Sequence, residues 1–66
     1  MRVNVNGSDR TVEAASTIEG LVASVTPARR GVAVAVNGEV VPRSTWPAAE
    51  LREGDRVEVL TAAQGG

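Results

Sequence analysis

Apolar and polar residues alternate from Met1 to Asn6, with Met1, Val3 and Val5 on one side and Arg2, Asn4 and Asn6 on the other. A period of two predicts a half-buried strand. Asn6-Gly7 readily supplies the positive φ angles of a tight hairpin turn, so the chain is expected to reverse there and return as a strand over Arg10 to Ala14, with Val12 and Ala14 inward. The period then changes. Ile18, Leu21, Val22 and Val25 recur at i, i+3, i+4 and i+7, which places them on one stripe of a helix packed against the sheet. Ser16-Thr17-Ile18-Glu19 has the form of a capping box, which puts the helix start at Ser16. Thr26-Pro27 ends the helix, because the residue before a proline is pushed out of the helical region. Gly20 falls opposite the stripe and is expected to face solvent.

Val32-Ala33-Val34-Ala35-Val36 is the most regular alternation in the chain, with Val predicted to face the core and Ala33 and Ala35 to form a flat outer surface. Asn37-Gly38 repeats the hairpin signal, and Glu39-Val40-Val41 is the expected return, stopped by Pro42. Ser44 to Ala49, with Trp46-Pro47 inside it, predicts a single helical turn, and Trp46, the sole aromatic residue, is expected to plug the core. Arg56 to Thr61 is the last strand: Val57 and Val59 face the core, and Arg56, Glu58 and Leu60 face out. Leu60 is a large apolar residue on a polar face, next to the end of the chain. It is a candidate partner contact, and Ala33, Ala35 and Leu60 would share one shallow patch if their strands are neighbours.

Composition narrows the reading. Leu, Ile and Val supply 16 of 66 residues, about 24%, above the roughly 20% below which a highly charged chain stays disordered. One folded domain is expected, with its body over residues 1–61 and a flexible tail over 62–66. The net charge is -1 and the basic residues, all Arg, are dispersed, a poor footprint for nucleic acid. Cys and His are absent, which removes disulfides, thiolate and imidazole catalysis and the usual zinc ligands together. No segment has the length and apolarity of a membrane span or signal peptide, so the expected compartment is the cytoplasm.

No catalytic constellation is present, nor any phosphate-binding glycine loop or carboxylate cluster at metal-site spacing. The chemistry on offer is at Ala62-Ala63-Gln64-Gly65-Gly66. A glycine pair has no side chains to keep it out of a narrow channel, and five extended residues reach roughly 17 Å. Such an end reads either as a reactive carboxylate carried into a partner's active site or as an ordinary Gly-rich terminus. A carboxylate needs activation before it can accept a nucleophile, and nothing here would bind ATP. On the first reading this chain is a substrate or carrier for another enzyme.

The order strand, Asn-Gly hairpin, strand, capped helix, strand, short strand, strand and Gly-Gly resembles the ubiquitin-like β-grasp. More narrowly, Val34-Ala35-Val36-Asn37-Gly38-Glu39-Val40-Val41-Pro42-Arg43, Trp46, Leu51-Arg52-Glu53-Gly54-Asp55-Arg56-Val57 and Gly65-Gly66 resemble the sulfur carriers of thiamine biosynthesis, the ThiS family. That resemblance implies an α+β fold: a mixed sheet of four to five strands, the first and last parallel at its centre, with one main helix across a face. It also implies that a ubiquitin-activating-type enzyme adenylates Gly66 with ATP and Mg²⁺. Sulfur from a sulfide or persulfide donor then replaces AMP, and the resulting thiocarboxylate serves thiazole synthase. Gly65 would be the slim neck, with Ala33, Ala35, Leu60 and Gln64 at the partner interface. No cofactor would be bound by this chain itself. Where the family usually has a larger apolar residue before the glycines, Ala62-Ala63-Gln64 is small and polar. A carrier for molybdopterin or another sulfur pathway, and a ubiquitin-like module that binds or conjugates to proteins, share these features.

Overall fold

Five strands and one α-helix make up residues 1–62, the part of the chain described by the computed structural model. In chain order they are β1 (Arg2–Val5), β2 (Ser8–Thr11), α1 (Ile18–Val25), β3 (Val32–Val36), β4 (Glu39–Val40) and β5 (Arg56–Thr61). The strands form one sheet in the order β2-β1-β5-β3-β4. β5 runs parallel to β1 and antiparallel to β3, so the last strand fills the centre, as the resemblance implies. Val3, Val5, Val34, Val57 and Val59 project from one face of the sheet onto Ile18, Leu21 and Val22 of the helix, and Trp46 and Leu51 complete the buried core. Each such side chain removed from water contributes about 1.5–3 kcal/mol before the entropic cost of ordering it.

Both Asn-Gly pairs turn as expected. Asn6 and Gly7 have φ of 51° and 88°, and Asn37 and Gly38 have 52° and 86°, the two positive values of a type I′ hairpin. The asparagine side chains do more. Asn6 Nδ2 donates to the Val59 carbonyl at 3.2 Å, and the Val59 amide donates to Asn6 Oδ1 at 2.8 Å. Asn37 Oδ1 accepts from the Arg56 amide at 3.0 Å while its Nδ2 donates to Asp55 Oδ1 at 3.0 Å. Each turn thus grips β5 through a side-chain amide that extends the backbone ladder.

The return of the first hairpin differs from expectation. β2 covers Ser8–Thr11, directly after the two-residue turn, and all four residues are exposed; the expected strand was Arg10 to Ala14. An edge strand buries little, so it carries no alternation to read. Val12 still packs partly on the core and donates its amide to the Met1 carbonyl.

The capping box does not form. Thr17, at φ −103° and ψ 164°, is the N-cap, and its hydroxyl accepts from the Gly20 amide at 3.2 Å. The Ser16 hydroxyl instead donates to the Glu13 carbonyl at 2.6 Å. The segment around Trp46–Leu51 explains the shift. The Ala49 carbonyl takes the Ile18 amide, the Trp46 carbonyl takes the Glu19 amide, and the Leu51 amide donates to the Ser16 carbonyl. These contacts satisfy the helix's first free amides and fix its start from a distance in sequence.

The expected turn over Ser44 to Ala49 begins earlier, as a 3₁₀ turn at Arg43–Thr45, and continues through bonds from Ala48 to Thr45 and Ala49 to Trp46. Gly20 is exposed, and an added Cβ would meet only Thr17 Oγ1 at 3.5 Å. Gly20→Ala is therefore expected to raise the urea midpoint, worth up to about 1 kcal/mol; a lower midpoint would contradict this account of the helix.

Candidate functional site

Strand geometry sorts the side chains of β5. Val57 and Val59 are buried beneath the helix, whereas Arg56, Glu58 and Leu60 stand on the open face, Leu60 with 64% of its surface exposed. The register of β3 on β5 sets Ala33 opposite Leu60 and Ala35 opposite Glu58. On the other side of β3, Val40 lies opposite Ala35 and is 77% exposed. Ala33, Ala35 and Leu60, singled out from sequence, are thus brought together on one face.

Val40 joins them, and sequence reasoning missed it. Its cue was available: β4 pairs around a two-residue turn, so the residue cross-strand from an outward Ala35 must also point outward. The other half of the face is polar. Arg2 and Asp9 form an exposed ion pair at 3.6 Å, and Asn4 Nδ2 donates to Asp9 Oδ1 at 3.2 Å. Exposed pairs of this kind add little stability.

The apolar half lies at the end of the sheet where β5 leaves it. The final rung pairs Val32 with Thr61. One residue beyond, the Ala62 amide donates to the Gly31 carbonyl at 2.7 Å, so the first residue assigned to the tail is still held by the sheet. Gln64, Gly65 and Gly66 lie outside the described residues.

Among the described residues, no group of three or more acidic side chains could hold a metal ion. No helix among them is long and apolar enough to cross a membrane. An open groove between β2 and α1, lined by Arg10, Glu13, Ser16, Gly20 and Ser24 among others, offers Ser hydroxyls and one carboxylate. Arg10 is engaged there with the Ser24 hydroxyl at 3.3 Å, and no imidazole or thiol exists in the chain to activate a nucleophile.

Comparison with known proteins agrees with this arrangement. A model described as the ThiS family matches residues 3–66. Over all 66 residues the chain is 33% identical to a thiazole synthase of Paramagnetospirillum magneticum and 39% identical to one of Magnetococcus marinus, and it spans 20% of the length of each. It is 26% identical to the sulfur carrier protein ThiS of Escherichia coli over the full length of both chains. The crystal structure of the thiamine biosynthesis protein ThiS from Geobacter metallireducens superposes with a TM-score of 0.81 at 33% identity, covering both chains completely. A solution structure of a thiamine biosynthesis protein from the same organism gives 0.78 at 35% identity, over all of this chain and 88% of the other. With a family match that runs from the first strand through the closing glycines, on a fold shared over its whole length, the chain belongs to the ThiS family.

Proposed function

We propose that this chain is a sulfur carrier for the thiazole moiety of thiamine, working in the cytoplasm as a protein co-substrate and not as a catalyst. The observation that carries this reading is the family match extending through Gly65-Gly66 on a fold whose central strand leads directly to them. An oxygen of the Gly66 carboxylate attacks the α-phosphorus of ATP and pyrophosphate leaves, giving an acyl adenylate. Hydrosulfide then attacks the carbonyl carbon, and the bond to AMP breaks. The products are a thiocarboxylate, AMP and a proton; one oxygen has been replaced by sulfur. Glycine at both final positions leaves the reacting carbon free of a neighbouring Cβ.

ATP and Mg²⁺ belong to a ubiquitin-activating-type partner, since this chain has neither a phosphate-binding loop nor, among its described residues, a group of acidic side chains that would hold the metal. The apolar half of the open face, with Leu60 and Val40 most exposed, is the docking surface in this reading, and Gln64 contributes beside the glycines. A thiazole synthase as recipient is supported by two proteins of that name that each contain a segment like the whole of this chain.

The test is the intact mass of the chain after incubation with ATP, an adenylating enzyme of this type and sulfide. Replacement of one oxygen by sulfur, mapped to Gly66, is expected. An unchanged mass beside an enzyme shown to be active would overturn the reading and favour a module that only binds.

A further inference from the structure

The rung beyond the sheet, between Gly31 and Ala62, is built in a way that ordinary strand pairing does not require. Gly31 has φ of +68°, a left-handed value that favours glycine, at the residue before β3. Its carbonyl accepts the Ala62 amide at 2.7 Å. The approach is close: a Cβ on Gly31 would sit 2.8 Å from the Ala62 Cβ, 3.6 Å from its nitrogen and 3.8 Å from its Cα. Carbon atoms in contact prefer about 3.5–4.0 Å, so any side chain at 31 would push Ala62 off the sheet. The last three described residues then form one series: Leu60 on the open face opposite Ala33, Thr61 opposite Val32, and Ala62 on Gly31.

We propose that Gly31 is a positioning residue for the reaction at Gly66. It fixes Ala62, the last described residue, at the end of the sheet, so that a partner docked on the open face meets the root of the reacting segment at a set place. The assignment rests on the carrier reading given above. The four residues after Ala62 span at most about 14 Å, so the place of Ala62 limits where the reacting carboxylate can be delivered. Reactions between positioned groups lose about a hundredfold for a misplacement of about 1 Å.

The proposal separates orientation from docking. In pyrophosphate release by an adenylating enzyme, Gly31→Ala is expected to lower kcat about ten- to hundredfold with KM nearly unchanged. Leu60→Asp, on the docking surface, is expected to raise KM. The double variant Gly31→Ala/Ala62→Gly removes the Cβ collision while keeping the left-handed strain. It should therefore melt above Gly31→Ala but below the parent and recover most of the parental kcat, with Ala62→Gly alone close to the parent chain. Exchange of the backbone amide at position 62, read by NMR, should be slow in the parent, fast in Gly31→Ala and slow again in the double variant. A Gly31→Ala chain that reacts at the parental kcat, or a double variant no better than the single one, overturns the assignment. Failure of the parent chain itself to release pyrophosphate removes the carrier reading, and the role of Gly31 falls with it.

Discussion

Trp46→Ala is expected to remove about 3–5 kcal/mol, a large share of the stability of the domain. A 66-residue domain has a total stability of about 3–10 kcal/mol at roughly 0.05–0.15 kcal/mol per residue, and truncating a buried Trp costs about 3–5 kcal/mol. Trp46 is 4% exposed, and it is the only aromatic side chain available to fill the space between the sheet and α1. Its indole Nε1 donates to the Val41 carbonyl at 2.9 Å, the Arg43 guanidinium lies 5.2 Å from its ring centre, and its own carbonyl takes the Glu19 amide at the helix start. Trp46→Phe keeps much of the volume but leaves the Val41 carbonyl without its donor, a loss of about 1–3 kcal/mol. Urea denaturation followed by far-UV circular dichroism checks both, since these variants lack the indole whose fluorescence would otherwise report unfolding. A Trp46→Ala chain within about 1 kcal/mol of the parent would mean that this plug is not central to the core.

Adding one alanine after Gly66 is expected to abolish the exchange of oxygen for sulfur while leaving the denaturation midpoint unchanged. The Gly66 carboxylate becomes an amide, and the new carboxylate stands about 3.3 Å further along the chain, beside a methyl group. Both changes displace the reacting atoms by more than the roughly 1 Å that already costs about a hundredfold. Stability should be untouched, because the ten buried side chains among the described residues lie between Val3 and Val59. An extended chain that still gains sulfur at its parental rate would remove the terminal carboxylate from the mechanism. Circular dichroism and intact mass on the same preparation separate loss of reaction from loss of fold.

The elements that bury a regular stripe were legible from residue types alone. β1, β3 and β5 alternate cleanly, α1 carries Ile18, Leu21 and Val22 at helical spacing, and the two Asn-Gly pairs announced their turns. What escaped were features decided by distant partners. Ser16 has the residue type for a cap, but Ala49, Trp46 and Leu51 reach across to set the helix start at Thr17, and no local window contains that information. β2 exposes every residue, so it gave no periodic signal. On the open face, Ala33, Ala35 and Leu60 were identifiable from alternation, whereas Val40 needed the register of a strand of only two residues. Gly31 looked like one more glycine in a loop until the end of β5 was seen lying against it.

The placement of β5 also makes the whole sheet depend on its last strand. β1 pairs with β2 and β3 pairs with β4, but the two halves meet only through β5, and the side chains of Asn6 and Asn37 wait for it with unfilled donors and acceptors. A chain that lacks residues 56–61 can form two hairpins and a helix, but it has no strand to join the hairpins into one sheet. The sheet closes in one step when its last strand arrives. A chain clipped before Arg56 would therefore remain open to proteases and lack the face that Ala33, Ala35 and Leu60 share.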